Sequence, residues 1–180
     1  MDGAKPEGTV LIYDDDHYYM GSVIAEKLVA DGCTVVFVTP DSVAASWTVH
    51  TMEQHRIQAR LMELGVEIIA SNLLKQIDED SVTLACAFSG QIRAVAAASV
   101  VMVVSRLPDD ALYQALVADP ERLREAGIET LKRIGDCHGP ATIAAAVYEG
   151  HRFARELGED VPEIQFRREL TELSAAFELP

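Results

Sequence analysis

Thr9-Val-Leu-Ile-Tyr-Asp-Asp-Asp-His-Tyr-Tyr-Met-Gly21 is the stretch on which the fold turns. Val10 to Tyr13 is a continuous apolar run, the pattern of a strand covered on both faces. A tight turn follows, and Gly21 opens an amphipathic run with Ile24, Ala25, Leu28 and Val29 on one helical face. Gly32 stops that run, a residue type favoured just past a helix C-terminus. Strand, turn and helix in this order begin a dinucleotide-binding unit. The turn, however, carries Asp14, Asp15 and Asp16 where such a unit carries glycines.

A G-x-G-x-x-G loop uses its first glycine for the turn, its second to let pyrophosphate approach the backbone and its third to pack helix on strand. Counting back from Gly21 puts the first two positions at Asp16 and Tyr18, so only the packing glycine is present. Carboxylates facing a pyrophosphate about 4 Å away are repelled by roughly 4 kcal/mol at an effective dielectric of about 20. A helix N-terminus returns only about 1 kcal/mol. The end of the second strand reads Thr39-Pro40, without the acidic residue that would bind a ribose. Ordinary NAD binding is not expected. The aspartates are expected instead to cap the first helix and to occupy the anion's place. A metal pocket of the response-regulator receiver type is excluded, since the third and fifth strands end in Ile69-Ala70-Ser71 and Val104-Ser105-Arg106 and lack its aspartate and lysine.

Outward from this stretch, strand-like and helix-like segments alternate, which favours an α/β fold with parallel strands. Strands are expected at Thr34 to Val38, Val66 to Ala70 and Ser99 to Val104, and a helix at Glu53 to Leu64 with Ile57, Leu61 and Leu64 buried. Leu73 to Val95 reads as a small antiparallel meander turning at Ser89-Gly90. The excursion from Asp41 to His50 holds the single tryptophan, Trp47, expected to anchor it against the core. Pro108 starts a short helical region, and Asp119 to Ala126 is charged surface. Ile128 to Ile134 has strand character ended by Gly135-Asp136, and Ala141 to Leu157 reads as a helix with Ile143, Val147 and Phe153 inward. Ala146, Gly150 and Ala154 would let another backbone approach that helix, and residues 158–180 form no clear element.

The 180 residues suit one sizeable domain or one domain plus part of another. A formal net charge of −14 argues against nucleic acid and anionic membranes as partners. The longest nearly apolar run, Ala94 to Val104, falls far short of the roughly 20 residues that span a bilayer. No secretory signal is visible, and a cytoplasmic location is the default expectation. Cys33, Cys86 and Cys137 are widely spaced and form no CxxC pair, so no disulfide framework, iron–sulfur or zinc ligand set is expected. The histidines form no i,i+4 metal pair, and no catalytic or metal-binding residue is assigned. His17 is expected to make a local hydrogen bond in its turn. His138 reads as a solvent-facing loop residue or one near a nucleotide, and Cys137 as a reactive or an inert thiol.

Several segments share one pattern: Tyr13-Asp-Asp-Asp-His-Tyr-Tyr-Met-Gly21, Ile24-Ala-Glu-Lys-Leu28, Val36-Phe-Val-Thr-Pro40, Glu53 to Leu61, Ile134-Gly-Asp-Cys-His138 and Glu149-Gly-His-Arg152. Together they resemble the C-terminal part of the trimethylamine dehydrogenase and histamine dehydrogenase group, in the old yellow enzyme/dienoyl-CoA reductase class of NADH:flavin oxidoreductases. The resemblance implies a Rossmann-like, three-layer parallel sheet with a small antiparallel meander, as in the NAD(P)H domain of disulfide reductases. It implies an NAD(P)H-like domain over residues 1–117 and the returning segment of an FAD/ADP-like domain with a C-terminal tail over 118–180. By resemblance Gly135 and Asp136 belong to an ADP or FAD site, with Gly21 the retained glycine of the first domain. Ser105-Arg-Leu-Pro-Asp109 stands where disulfide reductases join the two domains. A catalytic barrel carrying FMN and a 4Fe-4S cluster, absent here, is the implied partner, and no cofactor is expected to bind tightly to this chain alone. The expected function is therefore a non-catalytic nucleotide-binding-like domain of a flavin-dependent oxidoreductase. An independent nucleotide-binding module and a purely structural or homo-oligomerising domain are the alternatives.

Overall fold

The computed structural model describes Pro6 and residues 8–158. The tail expected over 159–180 lies outside the described residues. Two compact units divide between Ser105 and Arg106.

The first unit holds β1 (Thr9–Asp14), α1 (Tyr19–Ala30), β2 (Thr34–Val38), α2 (Gln54–Glu63), β3 (Glu67–Ile69), β4 (Asn72–Ile77), β5 (Ser81–Cys86), β6 (Ile92–Ala96) and β7 (Ser99–Val103). β3, β2, β1 and β7 form a parallel sheet in that order. β4, β5 and β6 form a separate antiparallel meander. β1 sits inside the parallel sheet, with Val10 to Ile12 fully buried and Tyr13 nearly so. Successive side chains alternate between faces. Ile12, Val35 and Phe37 meet Ala25 of α1 and Leu61 of α2, while Leu11, Tyr13, Val36 and Val38 meet Val82 and Leu84 of β5. The result is three layers: helices, parallel sheet, meander.

Both long helices stop as their sequence announces. Gly32 N–H donates to the Val29 carbonyl at 2.9 Å and Cys33 N–H to Leu28 at 3.0 Å, the paired bonds of a Schellman end. Gly65 and Val66 repeat the arrangement on Met62 and Leu61. Between β2 and α2 a 3₁₀ turn (Ser46–Thr51) departs from expectation. Trp47 is 62% exposed, its ring edge-on to His50 at 6.0 Å, so it does not anchor the excursion to the core. Ala44 is the anchor: it is fully buried in the core, Gln54 Nε2 donates to its carbonyl and its N–H donates to Gln58. Trp47→Ala should therefore change unfolding free energy by about 0.5 kcal/mol or less in thermal denaturation. A loss above about 2 kcal/mol would place the indole in the core.

The second unit holds α3 (Ala111–Val117), α4 (Pro120–Glu125) and α5 (Ile143–Glu156). Residues 128–134 are not a strand, although Ile134 keeps extended backbone angles. A ladder needs a neighbouring strand, and among the described residues none pairs with this segment. Of the inward face expected of α5, Ile143 is 85% exposed and Val147 is also exposed, while Phe153 is partly buried. No residue of α3, α4 or α5 is buried. Among the described residues nothing approaches the place of a Cβ on Gly150. No described helix is long and apolar enough to cross a membrane.

Candidate functional site

In an open parallel sheet, ligands bind outside the strand C-termini where the strand order reverses. Here that place is the end of β1, between β2 and β7. Asp14, the last residue of β1, is fully buried, and neither carboxylate oxygen has a hydrogen-bond partner. The backbone N–H groups of His17 and Asp16 favour its charge. Burial outweighs them and the nearby imidazole, and pushes the carboxyl up to about 6. Directly above it lies Gly21, where an added Cβ would stand 2.9 Å from Asp14 Cγ and 3.0 Å from Oδ1.

The expected helix cap is not what forms. Tyr18 occupies the N-cap position of α1 without a side-chain bond, and the first turn holds no acidic residue. Asp14 instead points beneath the helix, because β1 continues through it in register with Val103 of β7. Asp15 N–H then donates to the Val103 carbonyl at 2.8 Å and fastens the turn to β7.

His17 closes the other side. It adopts a left-handed φ of 61°, and its carbonyl accepts from Trp47 N–H at 2.9 Å. Its bonding is thus not only local. Nε2 lies 3.3 Å from Asp15 and Nδ1 3.5 Å from Asp41 of the excursion, the latter within ion-pair range without hydrogen-bond geometry. Ser46 Oγ donates to the same Asp41 carboxylate. The Tyr19 hydroxyl donates to Glu53 and lies 2.8 Å from Thr51 Oγ1, which holds Glu53 below the usual carboxylate range. Asp41 went unseen in sequence because its partner lies on another loop. Among the described residues no three His, Cys, Asp or Glu side chains are arranged to hold a metal ion.

In the second unit, Gly135 to Cys137 form a 3₁₀ turn, with Gly135 at φ 63°. Gly135 N–H donates to Glu149 Oε2 of α5 at 2.6 Å, and His138 Nδ1 lies 3.1 Å from Oε1. Both contacts hold Glu149 below its usual range, the backbone bond most. Asp136 is exposed, its Oδ1 facing Ala141 N–H at 3.5 Å. Glu149, His138, Lys132, Arg152 and Phe153 border an open hollow of about 160 Å³. Arg152 is paired to Glu156 at 2.7 Å, and Lys132 Nζ lies 5.8 Å from the Phe153 ring centre. Glu149 had been visible only as part of a motif, because its partners Gly135 and His138 lie on another loop.

The pattern of the OYE-like second alpha/beta domain family matches residues 1–99, more than half of the chain. The chain belongs to that family. It is 42% identical to histamine dehydrogenase from Rhizobium sp. 4-9, whose structure superposes with a TM-score of 0.84 over 94% of this chain. It is 36% identical to 6-hydroxypseudooxynicotine amine oxidase from Pseudomonas geniculata N1, with a TM-score of 0.76 over 84% of this chain and 22% of that one. Dimethylamine dehydrogenase of Hyphomicrobium sp. (strain x) is 29% identical over 93% of the chain. These relatives agree with the group to which the motifs pointed. The chain spans about a quarter of their length, 26% of each dehydrogenase.

Proposed function

We propose that this chain is a non-catalytic nucleotide-binding-like part of a larger flavin-dependent oxidoreductase resembling trimethylamine dehydrogenase. The filled crevice of the first unit carries the proposal. A pyrophosphate needs the space above the end of β1 and free N–H donors there; this chain has the buried Asp14 carboxylate in that place, with Gly21 pressed against it. The first domain, 1–117, then orients its neighbours without binding NAD. FMN and a 4Fe-4S cluster are placed elsewhere in the whole protein; the three cysteines are free and partly buried on separate segments and do not make a cluster ligand set. Those groups belong to a catalytic barrel of the same protein, in the cytoplasm.

The second domain, 118–180, returns to an FAD- or ADP-binding fold completed by further sequence. Three observations support this. Residues 128–134 lack a sheet neighbour among the described residues, α5 leaves Ile143 and Val147 uncovered, and Asp136 presents an exposed carboxylate that can accept from ribose or ribityl hydroxyls.

The test is calorimetry and thermal shift of the 180-residue chain against NADH, NADPH, ADP and FAD. No response to NADH or NADPH at millimolar concentration, with weak ADP binding, is expected. Micromolar NADH binding would overturn the filled-crevice reading. A response to none of the four would favour a purely structural domain.

A further inference from the structure

We infer that Glu149 is the positioning residue that presents Asp136 to the hydroxyl groups of an ADP or FAD ligand. The inference rests on the reading of Gly135-Asp136 as part of that site. Gly135 and His138 bracket Asp136 and Cys137, and one carboxylate grips both brackets: Oε2 accepts from Gly135 N–H at 2.6 Å and Oε1 lies 3.1 Å from His138 Nδ1. Ala146, one turn earlier on α5, meets the place of a Gly135 Cβ at 3.6 Å, so the loop rests on a small residue and is held by the next one along. The turn closes on itself through His138 and Gly139 N–H groups, which donate to the Gly135 carbonyl at 2.9 and 3.0 Å. Cys137 Sγ turns back to the Ile134 carbonyl at 3.2 Å. The Asp136 carboxylate is exposed, with Oδ1 3.5 Å from Ala141 N–H.

Glu149 carries a second, opposite possibility for the same ligand. As a bare anion beside Lys132 and Arg152 it would repel phosphate, and its removal would tighten binding. Positioning predicts the reverse. Gln at this place keeps an acceptor for Gly135 N–H and can donate to His138 Nδ1 once the ring carries its proton on Nε2, while losing the charge, whereas Ala loses both contacts.

The experiment is residue-resolved NMR of the full 180-residue chain titrated with ADP at millimolar concentration, for wild type, Asp136→Asn, Glu149→Gln and Glu149→Ala, with circular dichroism as the folding control. Shifts at Gly135 to His138 are expected in wild type, weakened in Asp136→Asn. Removing a group that orients a ligating side chain costs about tenfold or more at metal centres. About tenfold weaker binding is expected here for Glu149→Ala, and binding within about threefold of wild type for Glu149→Gln. In apo protein the Gly135 amide should also follow the protonation of Glu149 in wild type and lose that dependence in both variants. Tighter ADP binding by both Glu149 variants, or unchanged binding by Glu149→Ala when Asp136→Asn weakens it, would overturn the positioning role alone. No shifts in wild type, or shifts indifferent to Asp136→Asn, would overturn the nucleotide reading beneath it.

Discussion

Asp14→Asn raises stability at pH 7.5 and lowers it slightly at pH 4. The carboxyl is fully buried without a hydrogen-bond partner, and its folded-state value stands near 6 against an ordinary 3.8. Between those values the folded protein binds more protons at this site than the unfolded chain. Stability therefore falls as pH rises from about 4 to about 6, then levels off. At 1.36 kcal/mol per pH unit, the full penalty is about 3 kcal/mol. Asn keeps the shape and cannot ionise, although its amide still lacks partners, so a net gain of about 1 to 2 kcal/mol is expected at pH 7.5. Glu53, Asp110 and Glu149 lie below their usual values and act with the opposite sign in acid. The wild-type-minus-variant difference in urea unfolding removes their contribution, because both proteins share it. A difference that stays flat from pH 4 to 7.5 would show that Asp14 is hydrated or paired.

This sign separates a relic from a working site. A carboxylate that capped the helix would stabilise the ionised form and lose stability on acidification. Asp14 does the reverse, so its charge costs the fold something at neutral pH. The fold tolerates that cost because its core is otherwise large: the helix layer and the meander each bury a face of the parallel sheet.

How far the fold was legible depended on whether each signal was local. The apolar run into β1 was sufficient, because a strand buried on both faces leaves no polar alternation to misread. Gly32 and Gly65 announced their helix ends for an equally local reason. Trp47 failed because an isolated aromatic carries no periodicity, and here the buried Ala44, bonded to Gln54 and Gln58, anchors the loop. Residues 128–134 and α5 failed differently: their strand and inward-face patterns are real, but each needs a surface that the described residues do not fully supply. At the candidate sites, three consecutive aspartates could not reveal which one lies inside. That depends on where β1 ends relative to β7. Asp41 and Glu149 act through contacts with other loops, which spacing along the chain does not encode.

Gly21→Ala tests the same junction from the helix side, and its sign is the informative result. In an open helix interior the change would stabilise by about 1 kcal/mol, since Ala is the better helix former. Gly21 is not in open space: the new Cβ would stand 2.9 Å from Asp14 Cγ, 3.0 Å from Oδ1 and 3.1 Å from Cβ. Those atoms belong to a side chain enclosed on every side. It cannot swing away, so α1 must lift from β1, and overpacking of this kind costs about 1 to 3 kcal/mol. A net loss of about 1 to 2 kcal/mol is expected in chemical denaturation. In an Asp14→Gly background all three atoms are gone, and Gly21→Ala should become stabilising by about 1 kcal/mol. The two changes are then coupled by about 2 to 3 kcal/mol, well beyond the few tenths seen for independent sites. Additive effects would mean that Gly21 is needed for something other than the Asp14 carboxylate, and the place of that carboxylate would have to be assigned to a ligand instead.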